Sequence, residues 1–222
     1  MTPRRRTLDP RRRPRQRRSQ DTVAFLLEAA AQVFGARGYE RTTTNHVAER
    51  AGVSIGTLYQ YFPNKDALLL ALAREHLGSA RAAFDAAAAE LRATAPPLAG
   101  VVRRLVELAA ALNDRPVHAV LVDEAPRPPE LRAELAALHA AVAEEVVWHL
   151  RRLGAGGPAP GPAALVLVHA VDAGVHRVVL HPPPGSDRRA GTDEAVALCL
   201  AHLERTGGAA PGAAPAPLPD SS

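Results

Sequence analysis

The chain has 222 residues, 47% hydrophobic and 23% charged, enough to bury one or two cores. Apolar runs near Val23 and Leu68 are broken by Glu28 and Arg74, and no apolar signal core follows the arginine-rich start, so neither membrane insertion nor secretion is expected. A single cysteine, Cys199, excludes an internal disulfide framework and suits a reducing cytoplasm.

The net charge of +4 hides an asymmetry. Residues 1–18 (MTPRRRTLDPRRRPRQRR) hold nine arginines and one acid, Asp9, for a charge of +8, so the other 204 residues sum to −4. The body is mildly acidic and the basic character is local. This segment has three prolines and no apolar period, and is expected to be disordered. Two readings stand: a solubilising charge run or misplaced start, or an arm that follows phosphates or enters a minor groove.

The first helix spans about Gln20 to Ala36, with Val23, Leu26, Leu27, Ala30, Val33 and Phe34 on one stripe and Gly38 closing it. Thr44 to Ala51 repeats the pattern with Val47, Ala48 and Ala51. Gly52 then stands where a helix end needs a left-handed residue, and Ser54 is placed to cap a short helix from Ile55 to Tyr61. Pro63 stops that helix. Asn64 caps the next, which starts at Lys65 with Asp66 in its first turn and runs to about Leu91. Its inner side carries Leu68, Leu72, Leu77, Phe84 and Leu91. Helix, glycine turn and short helix make a helix-turn-helix, whose second helix lies in the DNA major groove.

Further helices are expected at about 98–113, 115–124, 129–152, 161–180 and 192–205, separated by Asp114, Pro126–Pro129, Gly154–Pro162 and Pro182–Gly191. Residues 207–222 are a low-complexity tail, expected to be disordered. With no alternating β-rich run, the fold class is all-α. The expected segments are a basic arm (1–18), a three-helix helix-turn-helix domain (19–66), a larger helical domain (67–206) and the tail.

The stretch AERAGVSIGTLYQYFPNKDALLLAL, with the preceding VAFLLEAAAQVFGARGYERTTTNHV, resembles the tetracycline-repressor (TetR) family of transcriptional regulators. The resemblance covers roughly residues 20–72, with Gly38-Tyr39, Thr43-Thr44, Val47-Ala48, Ala51-Gly52-Val53-Ser54, Thr57-Leu58-Tyr59, Tyr61-Phe62 and Lys65 in register. It implies a DNA-contacting set of Thr43, Thr44, Asn45, Ser54, Ile55, Gly56, Thr57, Tyr59, Gln60, Tyr61 and Lys65. Within it, Asn45 and Gln60 have the paired donor and acceptor that adenine needs, Ile55 and the rim of Tyr59 suit thymine methyls, and Gly56 lets the backbone approach. Thr43, Thr57, Tyr61 and Lys65, the only lysine, suit phosphates. Ile55 and Asn45 occupy positions that are often basic in the family, which shifts expected affinity onto the arm. Deleting residues 1–18 should weaken binding to all sequences and flatten its salt dependence.

The resemblance also implies an effector-binding domain and a homodimer formed by the last two helices, with Ala164, Leu167, Val168, Val171 and Val175 facing the second subunit. The expected partners are double-stranded operator DNA, a second copy and a small-molecule effector. By linkage, an effector that favours the wrong spacing of the two readers weakens operator binding equally, with the helix from Lys65 as lever. Candidate effector residues are His118, Glu124, Trp148, His149 and Asp172. His169, Asp172 and His176 share one helical face, which admits a metal reading, but hydrogen-bonded interface histidines are preferred. No cofactor, metal or catalytic residue is assigned. The rivals are a metal-dependent enzyme, for which no phosphate loop, G-x-S-x-G or H-E-x-x-H occurs, and a non-specific architectural DNA protein.

Overall fold

A computed structural model describes residues 17–114, 120–121, 128–176, 185 and 187–207. Every element assigned among them is helical: α1 (Arg17–Arg41), α2 (Thr44–Ala51), α3 (Ile55–Tyr61), α4 (Lys65–Thr94), α5 (Leu98–Asn113), α6 (Pro129–Leu153), α7 (Pro160–Gly174) and α8 (Arg188–Gly207). No described helix is long and apolar enough to cross a membrane. The basic arm as far as Gln16 lies outside the described residues. So do the tail beyond 207 and, apart from Val120 and Leu121, the segment expected as a helix over 115–124.

Two bounds have a visible physical reason. Helical backbone resumes after Gly38 as far as Arg41, but Gly38 itself is non-helical (φ 74, ψ 172) and closes the first stretch as expected. The last helix starts at Arg188, four residues earlier than expected, because the Asp187 carboxylate accepts from the Ala190 N–H at 2.6 Å.

By packing, the chain divides into two compact units, and the division falls within α4. The first unit comprises Met1–Ala83 with Leu112–Leu138. Its core joins Leu26, Val33 and Phe34 of α1, Val47 of α2, Leu58 of α3 and Leu68 and Leu72 of α4, with Phe62, Val120 and Leu121. The α2–α3 turn is built as its residues dictate: Gly52 is left-handed (φ 68) and its N–H closes α2 onto Ala48 and Glu49, while Ser54 Oγ accepts from the Thr57 N–H at 3.1 Å.

The second unit comprises Phe84–Ala111 with His139–Ser222. Its core holds Val102 and Val106 of α5, Ala143 and Leu150 of α6, Ala164 of α7, Val175, and Val196, Cys199 and Leu203 of α8. Of the expected dimer face, Ala164 and Val175 are closed to a second subunit, while Leu167, Val168 and Val171 are partly buried. Ala164 and Val175 are buried in the chain's own core, with Leu167, Val168 and Val171 packed against it. The stripe is real, but its period says only that it is covered, not by which chain. The large apolar side chains left exposed on α7 and α8 are Leu165, Val166 and Leu198.

Candidate nucleic-acid interface

The short α3 is held from below and left open above. Leu58 is fully buried and Phe62, one residue beyond the helix, is 1% exposed, which fixes the helix on the core. Ile55 (36%) and Tyr59 (41%) are among the few large apolar side chains exposed among the described residues, and Gly56 and Gln60 are exposed beside them. Gly56 is helical and a Cβ built on it would meet only Ser54 Oγ, at 3.7 Å. The fold therefore has no need of glycine there, although glycine costs about 1 kcal/mol against alanine in a helix.

The start of α2 lies against this surface. Thr43 caps α2 reciprocally: its side chain accepts from the His46 N–H and its own N–H donates to His46 Nδ1, each at 3.3 Å. Thr44 Oγ1 is 3.0 Å from the Tyr59 hydroxyl, so the α2 N-terminus orients the tyrosine on α3. Thr43 and Asn45 are exposed, and Thr44 and Thr57 half-buried. Ser54 and Thr57 hydroxyls are also 2.9 Å apart.

Two members of the expected set sit differently. Tyr61 is a core residue, 9% exposed, whose hydroxyl accepts from Ser19 Oγ at 3.3 Å. The Lys65 ammonium donates to the Tyr39 carbonyl at 2.9 Å and reaches the Glu40 carbonyl at 3.5 Å, 4.0 Å from the centroid of the Tyr39 ring. Nothing in composition signals that the one lysine closes on the α1–α2 corner; the pairing crosses 26 residues.

Of the expected effector residues, His118 and Glu124 lie outside the described residues. Trp148 and His149 meet edge to face with centroids 4.8 Å apart. His149 is fully buried with Nε2 3.2 Å from Glu145 Oε1, and the 5%-exposed Glu145 carboxylate accepts from Arg92 Nε at 2.9 and 3.1 Å. Trp148 faces outward, with the Arg92 and Arg152 guanidinium carbons 5.0 and 5.8 Å from its ring centroid. Burial pushes the His149 imidazole below its ordinary pKa against the pull of Glu145. Asp172 is elsewhere: its carboxylate is 3.8 Å from His139 Nε2, ten residues from His149 and so about 15 Å along α6. His139, which the sequence does not single out, also stacks edge to face on His169 at 4.8 Å. The signal for it is present, a histidine on an apolar helix, but its partner lies on another helix. Among the described residues, no three His, Cys, Asp or Glu side chains are grouped to hold a metal ion.

A capped short helix after a glycine turn, with its outer face unfilled, defines a helix-turn-helix protein. The model of the tetR family of bacterial regulatory proteins matches residues 26–72, and that of the tetracyclin repressor-like C-terminal domain matches residues 97–203. The chain belongs to the TetR family of bacterial transcriptional regulators, which are transcription factors and not enzymes. An HTH-type transcriptional regulator of Mycobacterium tuberculosis is 30% identical over 110 residues, covering 50% of this chain and 56% of that protein. The matched stretch thus spans about half the length of that curated relative. A TetR-family regulator from Mesorhizobium loti superposes with a TM-score of 0.68 at 19% identity over 86% of this chain and 98% of its own, which shows the shared fold. The regulator LfrR from Mycobacterium smegmatis, solved with proflavine, superposes with a TM-score of 0.57 at 26% identity over 83% and 97% of the two chains.

Proposed function

We propose that this chain binds a palindromic operator as a homodimer in the cytoplasm, represses transcription, and is released by a small-molecule effector. The carrying observation is Gly56: a helical glycine the fold does not require, on the exposed side of α3 between Ile55 and Gln60. In this reading the empty position admits the edge of a duplex, Asn45 and Gln60 address adenine, Ile55 and Tyr59 pack on thymine methyls, and Thr43, Thr44, Ser54 and Thr57 lie along the phosphates. The basic arm of residues 1–18 adds sequence-independent affinity. Residues 19–66 are the reader and 67–206 the regulatory part. Leu165, Val166 and Leu198 are the face offered to the second subunit, which would set the two readers about 34–36 Å apart. LfrR's proflavine supports a small organic effector, for which Trp148, His149 and Asp172 are the candidates among the described residues.

The test is selection of duplexes from a random library, followed by Gly56→Ala. Alanine should raise the melting temperature, by up to about 1 kcal/mol of stability, while weakening binding to the selected duplex. Gln60→Ala should relax the preference at one base pair by about 1–3 kcal/mol. A wild-type protein with no preference over random duplex would end this reading in favour of an architectural one.

A further inference from the structure

Among the described residues, Phe25 of α1 is the one large exposed apolar side chain that neither the reading face nor the proposed effector and subunit surfaces take up. It is 66% exposed, against 36% for Ile55 and 41% for Tyr59 on α3. The helix buries Leu26, Ala29, Ala30 and Val33 on its inner side and leaves Asp21, Ala24, Phe25, Glu28 and Gln32 as an exposed outer stripe. Asp21 lies one turn before Phe25 and Glu28 one turn after, so a carboxylate stands on each side of the ring on one helix face. Gln32 Nε2 donates to Glu28 Oε1 at 2.8 Å, which holds that carboxylate on the stripe.

An aromatic ring between two carboxylates is the reverse of a phosphate site. It repels a duplex and suits a guanidinium, whose N–H donors meet carboxylates and whose plane lies on a ring. The chain supplies that chemistry close by. Residues 1–16 carry seven arginines against one acid, Asp9, and the only runs of three arginines in the sequence are Arg4–Arg6 and Arg11–Arg13. Beyond residue 18 the chain sums to −4, so the body of a second copy is the poorer match. Arg11–Arg13 precede Arg17 by four to six residues, a reach of roughly 13–20 Å for extended chain. Along α1, Asp21 is about 6 Å and Glu28 about 16 Å from Arg17 at 1.5 Å per residue. A reversal ahead of Arg17, where Pro14 stands, lays the run along the stripe.

We propose that Asp21, Phe25 and Glu28 form a docking surface for this chain's own basic arm, with Arg11–Arg13 over the ring and between the carboxylates. The stripe and a duplex then compete for the same guanidiniums. Contacts on so exposed a surface are weak: a cation–π pair there is worth about two- to fivefold in an equilibrium constant, and an exposed ion pair no more than that. Duplex phosphates, with their higher charge density, can therefore take the arm from α1. The competition rests on the DNA-binding reading; the docking does not.

The first test needs no DNA. Trypsin should remove the arm from full-length Phe25→Ala about two- to fivefold faster than from the wild type at low salt, because docking shields the arginines. The gap should narrow in about 1 M salt, where screening acts within roughly 3 Å. Equal rates at low salt overturn the proposal. So does protection that grows with protein concentration, which would assign the stripe to a second copy. Asp21→Asn combined with Glu28→Gln should speed cleavage as well, and covers the case in which the alanine variant melts early.

The second test is a double-mutant cycle on the best duplex that the wild type selects from a random library. Phe25→Ala should bind it about two- to fivefold more tightly, by releasing the arm. In a full chain carrying Arg11→Gln, Arg12→Gln and Arg13→Gln, adding Phe25→Ala should change nothing. The same gain in both backgrounds, or none in either, overturns the competition. If the wild type selects no duplex, the DNA reading fails instead, and the cleavage rates still decide the docking.

Discussion

The reading helices of the first compact unit rest on local caps, whereas the core of the second holds a long-range polar pair. In the first, Thr43, Ser54 and Asn64 work at helix ends, each satisfying a backbone N–H within three residues along the chain. In the second, Glu145 and His149 are buried inside α6, and their partners come from α4 and from one turn away. Local capping needs only the right residue at the right spacing, and can be read without a fold. A buried carboxylate needs a guanidinium 53 residues distant, and only packing can supply it.

That contrast can be broken most sharply at the two cores. Leu58→Ala and Leu150→Ala each remove a side chain that is at most 1% exposed, and each should lose about 2–5 kcal/mol in thermal or denaturant melts. Binding to a selected duplex should collapse for Leu58→Ala alone, at temperatures where both proteins remain folded. Equal loss in the two variants would show that the units do not act separately.

The glycines give a finer comparison. Gly52 (φ 68) and Gly154 (φ 64) both have open space where a Cβ would stand, so alanine at either costs only backbone strain, about 1–2 kcal/mol. Similar melting shifts with duplex binding impaired only for Gly52→Ala would tie the α2–α3 turn to reading. Smaller again, Ser54→Ala should cost about 1 kcal/mol through loss of the α3 cap, measured by the same melts.

Two histidines, the buried His149 and the half-buried His139, add a pH dependence to the second unit. Burial holds His149 and His139 below the free value of 6.5, so the unfolded chain binds more protons than the folded one as pH falls below that value. Stability should therefore fall as pH is lowered through 6.5 towards the folded-state pKa, and be recovered above it. The groups facing His149 are Glu145, Arg92 and Arg152. Melts at pH 7 and pH 5 should show a smaller difference for His149→Gln than for the wild type. Burial likewise pushes the Cys199 thiol up, so it stays protonated and should react slowly with thiol reagents in the folded protein.

The helices of the first unit are legible to within a residue for α2 and α3, because glycine, serine and proline mark their ends by backbone chemistry. The start of α8 is not, because Asp187 lies in a proline- and glycine-rich loop, and its capping role shows only once Ala190 is helical. The apolar stripe of α7 is visible in the sequence, but not which of its residues the chain's own core takes, since the same period serves an internal core and a subunit interface. Lys65 and Tyr39 can be matched to a pattern, but their mutual contact cannot, as 26 residues separate them.

By itself the sequence determined the all-helical fold, the positions of the reading helices and the family, because helix period, caps and turn residues act over distances of a few residues. Only the tertiary structure decided which faces were already covered and which polar side chains met, as with Lys65 on Tyr39 and Arg92 on Glu145. Those pairings depend on how whole helices pack against one another, and no local preference along the chain encodes that arrangement.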